Sequence, residues 1–527
     1  MVTVAEAQRR SIHPTTAPAP SRPPLPALLQ PDPILSLQHI VGYSPSGPCS
    51  AVWTTEADVV AYAAGQAIVF LDIRTGVQQF LQGHTADVVC LSVSATEGVM
   101  ATAQGGVHPC VRLWDVHTRL ATGVIPLPHS PCVAELSSRG TVLISVTRDG
   151  QGKHWVAARA IIPRNSQRVR VLAEARADAS VEVMRVSPAD EHRFVSCGRD
   201  NIRLWRIKDG AFRSCPVSLL GHTPAGRADI CYTDLRLRAS GTAELTAYVA
   251  STGGEVLEVD CMASRVLRRH CVAGPGDGAL RCLALAGSYC VVGSDDMLLR
   301  VWPLDFGDYI MDLEHETPPC CVAASDDGQR LVVGTVGGTL GVLDLAETTY
   351  RTVLRAHVGD VVDFCVHAHD HQVATASADG FVRVWDMATF ALLYEFSMPD
   401  DAPRCVAFHP RDEVLAVGYA SGHVRVFSVK DTAEVTHIQQ HTAAGKKGIS
   451  ERQSRLRTFT RTHQAMRIYS HARTHACMHA TGAHFQTRAQ RTRTRAPAIC
   501  DGVWRRDGVG VSPVVLPRCC HISLRPL

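Results

Sequence analysis

The chain has 527 residues, of which 46% are hydrophobic, and its 53 Lys/Arg against 50 Asp/Glu leave a net charge of +3. This length allows two or more domains with a sizeable apolar core. No run of eighteen apolar residues occurs and the start, MVTVAEAQRRS, has no apolar signal segment, so the sequence predicts a cytosolic protein that does not span a membrane. Nineteen irregularly spaced cysteines indicate buried, reduced thiols and not a zinc site.

The charge is unevenly distributed along the chain. Residues 437–527 hold sixteen Lys/Arg and three acids, a net charge of +13, so the other 436 residues carry −10, the difference between +3 and +13. A mildly acidic folded part does not indicate a nucleic-acid surface.

The first 35 residues contain eight prolines. Because proline fixes φ and removes a backbone donor, residues 1–35 are predicted to form an extended, disordered linker.

A repeated pattern follows: an apolar strand, a Gly/Asp turn, and a strand that ends in an aromatic residue or leucine and, in most copies, an acid. The closing strands are FLDI, LWDV, LWRI, LEVD, VWPL, VLDL, VWDM and VFSV, at successive spacings of 43, 91, 54, 43, 41, 42 and 42 residues. The 91-residue gap fits two units, with a divergent copy around KHWVAARAII. Nine units of about forty residues are typical of four-stranded propeller blades.

Several units also begin with a histidine, as in the segments that contain His84, His222 and His357. A Gly-His head with a Trp-Asp tail is the WD-repeat signature, so the sequence predicts an all-β WD40 β-propeller. Either residues 36–347 form repeats 1–7 of one ring and residues 348–436 form repeats 8–9 of an incomplete second ring, or all nine form one irregular larger ring.

Residues 437–527 show no such periodicity and are predicted to be a basic disordered tail. Their segment HARTHACMHA can be encoded entirely by alternating pyrimidine and purine. We therefore hypothesise that the chain is a fragment with an aberrant C-terminal tail, translated from non-coding sequence, and that the natural protein continues with more blades.

The best-formed repeat predicts a structural tetrad of His357, Ser377, Asp379 and Trp385. In this arrangement the histidine bridges the aspartate and the serine hydroxyl, and the indole N–H donates to the serine. Other repeats keep only part of the pattern, and apolar packing is predicted to hold them. These partial tetrads are His84 with Trp114, Asp200 with Trp205 (Gly198 at the serine position), and Ser294 and Asp296 with Trp302.

The tetrad explains the serine, histidine and aspartate without catalysis, so we predict no catalytic residue, no metal site and no cofactor. The function is then expected to lie on the surface. Arg199 and Asp295 precede turn aspartates and are the predicted partner contacts on the narrow face of the ring.

Four stretches resemble the WD repeat-containing protein 90 family, whose members are centriole and cilium components. They are VVAYAAGQAIVFLDIRTGVQQFLQGHTADV, AFRSCPVSLLGH, GSDDMLLRVWPLDF and DDAPRCVAFHP, and they lie between residues 59 and 410. The Gly42-Tyr43 pair is also similar to the start of the tandem propellers of microtubule-associated proteins. The resemblance implies a cytoplasmic scaffold of the centriole or ciliary basal body, with centriolar, ciliary or tubulin-associated protein partners.

A substrate adaptor of a ubiquitin ligase is the alternative function. Such adaptors usually carry W-D-x-R at a strand end, whereas this chain reads WDVH at Trp114 and WDMA at Trp385. A propeller enzyme would need a repeated set of acids or histidines in the channel, which the sequence does not have. We expect no small-molecule substrate, nucleic acid or membrane as a partner.

Overall fold

The computed structural model describes residues 35–162, 169–219, 230–240, 244–273, 278–367, 371–398, 401–430, 434–439 and 521–526. The predicted linker of residues 1–35 lies outside this part of the chain except for its last residue, as does the predicted tail except for residues 437–439 and 521–526. The described residues form strands and turns, with no helix and therefore none that could cross a bilayer. Nine four-stranded antiparallel sheets follow one another along the chain, which confirms the nine predicted repeats.

Each sheet is a meander of four consecutive strands, and we number the sheets as blades 1 to 9. The strands of blades 1 to 3 are β2 (Ala51–Trp53), β3 (Val59–Ala64), β4 (Ala67–Asp72), β5 (Gln78–Leu81); β6 (Val88–Val93), β7 (Val99–Gln104), β8 (Cys110–Asp115), β9 (Ala121–Pro126); and β10 (Ser130–Leu136), β11 (Val142–Arg148), β12 (His154–Ala160), β13 (Arg170–Arg176). The strands of blades 4 to 6 are β14 (Val183–Val186), β15 (Arg193–Gly198), β16 (Asn201–Lys208), β17 (Ala211–Pro216); β18 (Tyr232–Ser240), β19 (Glu244–Ser251), β20 (Glu255–Asp260), β21 (Arg265–Cys271); and β22 (Leu280–Ala286), β23 (Tyr289–Ser294), β24 (Leu298–Pro303), β25 (Met311–Glu314).

The last three blades complete the series. Their strands are β26 (Pro319–Ala324), β27 (Arg330–Thr335), β28 (Thr339–Asp344), β29 (Thr349–Arg355); β30 (Val361–His367), β31 (Gln372–Ser377), β32 (Phe381–Asp386), β33 (Leu392–Ser397); and β34 (Pro403–Phe408), β35 (Val414–Tyr419), β36 (His423–Ser428), β37 (Glu434–Gln439). A strand β1 (Leu35–Val41) precedes blade 1 and pairs antiparallel with β38 (His521–Pro526).

The first strand of most blades carries a β-bulge, and in blades 5, 7 and 8 the residue after the bulge hydrogen-bonds to the next blade in the ring or pair. This residue is a cysteine in four blades: Cys90, Cys282, Cys321 and Cys405. The thiol of Cys321 donates to the carbonyl oxygen of Ala51 in the neighbouring blade, at 3.4 Å. The position is crowded and suits a small residue with a weak donor, which accounts for part of the high cysteine content.

The first seven blades close a ring, because blade 7 packs against blade 1. Strand β2 lies beside β26 and β27. The indole Nε1 of Trp53 donates to the carbonyl oxygen of Ala323 at 3.0 Å. A central cavity of about 350 Å³ is lined by the first strand of all seven blades, through residues that include Val52, Leu91, Glu135, Arg185, Leu237, Ala284 and Ala323. The arrangement is a seven-bladed ring followed by two further blades, which is the first of the two predicted arrangements.

The Gly42-Tyr43 motif lies at this closure. Tyr43 is fully buried, and its hydroxyl lies 2.6 Å from Ser50 Oγ. Its ring occupies the space above Gly334 in blade 7, where any Cβ would collide with the phenol. Burial raises the pKa of Tyr43 well above its usual value, so the phenol stays neutral.

Blades 8 and 9 share one apolar cluster of their own, which includes Val384, Phe396, Leu415 and Phe427. Blade 8 also contacts the segment before blade 1, because the rings of His39 and Phe390 stack with centroids 4.4 Å apart.

The sheet boundaries differ from the predicted boundaries at residues 347 and 436. The fourth strand of blade 7 ends at Arg355, and that of blade 9 at Gln439. The reason is that the WD signature marks the third strand of a sheet, and the outer strand follows it.

Candidate functional site: tetrads and open surfaces

The tetrad of blade 8 forms, but with a different hydroxyl from the predicted one. His357 Nδ1 lies 2.9 Å from Asp379 Oδ2, and its Nε2 lies 3.0 Å from Thr375 Oγ1. The indole Nε1 of Trp385 donates to Thr375 Oγ1 at 2.9 Å. The prediction of Ser377 as the tetrad hydroxyl was wrong; its Oγ accepts the backbone N–H of Asp379 in the turn, at 3.3 Å.

Strand register explains the difference. Val373 on β31 is directly opposite Trp385 on β32, and the next residue on the same face of β31 is Thr375. Ser377 lies one further pair along the strand, where the turn begins. The hydroxyl that accepts the indole hydrogen bond therefore belongs to the residue two positions after the one directly opposite the tryptophan.

Blade 2 contains a complete network of the same kind, which the sequence reasoning missed. His84 Nε2 lies 2.6 Å from Thr102 Oγ1, and Trp114 Nε1 donates to the same oxygen at 2.8 Å. Gln104 Oε1 lies 2.7 Å from His84 Nδ1, so a glutamine takes the place of the aspartate. The expectation that apolar packing alone holds this blade was wrong, and the register rule would have identified Thr102, because Met100 is opposite Trp114.

The partial tetrad of blade 4 follows the same rule. Phe194 is opposite Trp205, and the indole donates to Ser196 Oγ at 2.8 Å, so Gly198 is not the serine position. Asp200 has a left-handed φ of 52°, and its Oδ1 accepts the backbone N–H of Ile230 at 2.9 Å. Asp200 therefore ties blade 4 to the start of blade 5 and does not join a tetrad.

In blade 6 the rule places Val292 at the hydroxyl position, because Cys290 is opposite Trp302. Accordingly, Trp302 Nε1 has no hydrogen-bond partner among the described residues. Ser294 and Asp296 hydrogen-bond to each other in the turn, and Asp296 forms an ion pair with Arg300 at 2.7 Å.

The burial and the pKa values of the blade 8 tetrad indicate that its role is structural. Burial lowers the pKa of His357, although Asp379 acts in the opposite direction. Burial would raise the pKa of Asp379, but the hydrogen bonds from His357 and the backbone of Phe381 outweigh it and hold this pKa well below its usual range. His357 is fully buried and Thr375 is 3% exposed, so no substrate can reach this hydroxyl.

A buried ion network joins blades 3 to 6 beside the channel, and no periodic pattern in the sequence predicts it. Arg185 Nη1 lies 3.1 Å from Glu135 Oε2, and its Nη2 lies 3.4 Å from Asp234 Oδ1. The second oxygen of Asp234 accepts the backbone N–H of Leu283 at 3.0 Å. Each charge has a partner, as buried ionic groups require, and the network holds four adjacent blades.

The two predicted surface contacts differ in their surroundings. Arg199 is exposed, its backbone N–H donates to Ser180 Oγ at 2.7 Å, and its guanidinium forms no hydrogen bond with the described part of the chain. Asp295 is half-buried and forms an ion pair with Arg281 of the same blade. Only Arg199 therefore offers a charge that is not already used in an ion pair among the described residues.

Blade 8 has an open apolar face. Phe364, the second residue after the bulge of β30, is 64% exposed, and Val366 on the same strand is 52% exposed. Residues in the equivalent position of the other bulged blades are between 0% and 3% exposed because the preceding blade covers them: Leu91, Ala134, Leu235, Leu283, Val322 and Val406. No described blade precedes blade 8 in its own ring, so the β30 side of this face is uncovered, whereas Trp385 on the same face packs in one apolar cluster with Ile40 and Leu354.

The described residues contain no cluster of three His, Cys, Asp or Glu side chains that could hold a metal ion. The fifteen described cysteines are free thiols. Burial raises the pKa of several of them, including that of Cys365 to about 12, so these thiols stay protonated.

Comparisons with known proteins agree with this architecture. The profile of the family described as "WD domain, G-beta repeat" matches residues 76–115 and 348–386. The profile described as "Anaphase-promoting complex subunit 4 WD40 domain" matches residues 382–451.

Among individual proteins, WD repeat-containing protein 90 of Xenopus tropicalis is 35% identical over 80% of this chain and 24% of its own length. The human protein of the same name is 35% identical over 78% of this chain and 24% of its own length. Centriole proteome protein 16 of Chlamydomonas reinhardtii is 32% identical over 82% of this chain and 22% of its own length.

These similarities and the nine blades define the class as WD-repeat β-propeller proteins. Within that class the chain belongs to the WD repeat-containing protein 90 family. It spans about a quarter of the length of the curated relatives that it matches.

Proposed function

We propose that this chain is a non-catalytic protein-interaction scaffold of the centriole, the cilium or related microtubule-based structures. The observation that carries the proposal is the continuous similarity, at 32–35% identity over about four fifths of the chain, to proteins that include one named for the centriole proteome. A protein named as cilia- and flagella-associated and another named as a microtubule-associated protein match at 22% and 20% identity.

The geometry is suited to this role. A closed ring holds its loops on a rigid framework, so a partner that binds them loses little conformational freedom in the protein. The tetrad hydroxyls in blades 2 and 8 are buried and serve the sheets. The groups that a partner can reach are therefore on the surface, and they include Arg199 on the predicted narrow face and the open face of blade 8.

We infer that the open face of blade 8 takes a further WD-type blade. The equivalent residue of six other blades is covered by such a blade, and the relatives are about four times as long as the matched region. An additional sheet that packs on Phe364 would begin to close a second ring.

Proximity labelling of the full chain in ciliated cells tests the proposed function. A biotin ligase fused to the chain is expected to label centriolar and ciliary proteins, and Arg199→Glu is expected to reduce part of this labelling if the narrow face is used. Arg74→Glu, an exposed turn residue of blade 1, is the matched control. Labelling dominated by ubiquitin-ligase subunits would support the adaptor function instead.

A further inference from the structure

The outer strands of three consecutive blades concentrate positive charge. Strands β13, β17 and β21 read RVLAEAR, AFRSCP and RVLRRHC, and together they hold six arginines and one acid, Glu174. The outer strands of the other six blades read QQFL, ATGVIP, MDLE, TYRTVLR, LLYEFS and EVTHIQ, with two arginines and four acids. Edge strands often carry charge that blocks aggregation, but five of the nine outer strands contain no lysine or arginine, so edge protection does not account for the concentration.

Five of these arginines form what we call the outer basic band: Arg170, Arg176, Arg213, Arg265 and Arg268. All five are exposed, and none forms an ion pair with a carboxylate of the described residues. The sixth, Arg269, pairs with Glu255.

The three outer strands lie close together on the rim. Strand β17 lies beside β13. After β17, the backbone N–H of Ser218 donates to the carbonyl oxygen of Ser264 at 3.3 Å, and Ser218 forms a bridge with Arg265 at the start of β21. The edges of blades 3, 4 and 5 therefore make one continuous surface.

The strand register within blade 4 places further arginines next to the outer basic band. Arg193, Arg206 and Arg213 are directly opposite one another on β15, β16 and β17, so three guanidinium-bearing residues follow each other at strand spacing, about 4.8 Å. Like charges in such pairs are destabilising. Only Arg193 has an acidic partner among the described residues, Asp190 at 3.2 Å.

We propose that the outer basic band binds an acidic segment of a partner protein. This proposal deepens the scaffold function and rests on it, because it names the chemistry of one partner. Residues 1–436 carry a net charge of −10, so the chain outside the band, taken as a whole, repels a wide polyanion such as duplex DNA. A short extended glutamate-rich segment stays within the band, and charges farther away than about 8 Å are largely screened at physiological salt.

Photo-cross-linking of the full chain to a ten-residue poly-L-glutamate that carries a benzophenone tests the proposal. Mass spectrometry is expected to place cross-links on β13, β17 and β21. The basic residues 437–527 also attract this probe, and cross-links there serve as an internal reference within each sample.

Arg176→Glu combined with Arg213→Glu is expected to reduce the cross-links on the three strands at least ten-fold relative to the reference. Arg213→Glu is opposite Arg206, so it replaces a repulsive pair with an attractive one and should not unfold the blade. Arg139→Glu with Lys153→Glu makes the same change in net charge on exposed turns of blade 3 and is expected to have less than a two-fold effect. If the band variant does not fold, Arg176→Gln with Arg268→Gln is the second test, with an expected loss of several-fold.

The proposal would be overturned by cross-links confined to residues outside the three strands, or by equal losses in the band and control variants. It would also be overturned if a DNA duplex displaced the peptide from the band more readily than an unlabelled peptide of equal charge. Each of these results leaves the localisation tested by proximity labelling unaffected, so failure of this proposal is distinguishable from failure of the scaffold function.

Discussion

Tyr43 in the segment before blade 1 packs directly over Gly334 in blade 7, and no side chain larger than hydrogen fits at that glycine. The two residues lie at opposite ends of the ring in sequence, so their contact stabilises the closure. The backbone of Gly334 does not require glycine, since its φ is not in the left-handed region. Glycine is required because the Tyr43 ring leaves no room for a side chain.

Gly334→Ala is therefore expected to destabilise the ring. The methyl group must displace the Tyr43 phenol, and overpacking of this kind costs about 1–3 kcal/mol. Chemical denaturation monitored by tryptophan fluorescence measures the change. Gly150→Ala, in a turn where a Cβ meets nothing within 4 Å, is the control and is expected to have almost no effect.

The hydroxyl of Thr375, and not that of Ser377, is expected to stabilise blade 8. Thr375→Val leaves the indole N–H of Trp385 and one nitrogen of His357 without their buried partner, which costs about 1–3 kcal/mol. Ser377→Ala removes one long turn hydrogen bond and is expected to cost less than about 1 kcal/mol. Equal losses in the two variants, measured by thermal denaturation, would show that the tetrad uses both hydroxyls.

Stability is expected to fall as the pH is lowered from 7 to 5. Burial lowers the pKa of His84 to about 4 from its usual value of 6.5, so in this range the unfolded chain takes up a proton that the folded chain excludes. The loss from this residue is of the order of 2 kcal/mol at pH 5. Urea midpoints at both pH values should differ more for the wild type than for His84→Gln, and an equal dependence in the two proteins would assign the effect to other groups such as His39, whose pKa is also lowered to about 4.

The open face of blade 8 is expected to tolerate a polar residue. Phe364→Ser changes a side chain that is 64% exposed, so the thermal midpoint should change by no more than about 1–2 °C. Leu283→Ser changes the equivalent, fully buried position of blade 6 and is expected to cost about 3 kcal/mol or more. A similar loss in both variants would mean that blade 8 is covered.

The repeat period was readable from the sequence because strand ends with an aromatic or aliphatic residue recur every 41 to 54 residues, apart from one gap of 91 that fits two units. Trp114, Trp205, Trp302 and Trp385 all lie on third strands, as that pattern requires. The tetrad hydroxyls were not readable in the same way. Thr375 and Ser377 lie on the same strand, and only the register of β31 against β32 decides which one meets the indole.

Long-range contacts were also beyond the sequence pattern. In blade 2 the amide oxygen of Gln104 takes the place of the aspartate carboxylate beside His84 Nδ1. A search of the sequence for acidic residues does not find it. The Tyr43 contact with Gly334 depends on ring closure, and the pairing of Arg185 with Asp234 depends on the packing of blade 4 against blade 5.

We propose that this chain is a folded propeller scaffold that reaches the centriole or cilium through protein contacts. The most direct measurement is the location of a fluorescent-protein fusion of the full chain in ciliated cells, imaged with a centriole marker. We expect the fusion to form foci at the centriole or basal body, and a ring-disrupting variant, Gly334→Trp, to lose them. A wild-type fusion that is stable and folded but evenly distributed through the cytoplasm would show that the chain is not such a scaffold.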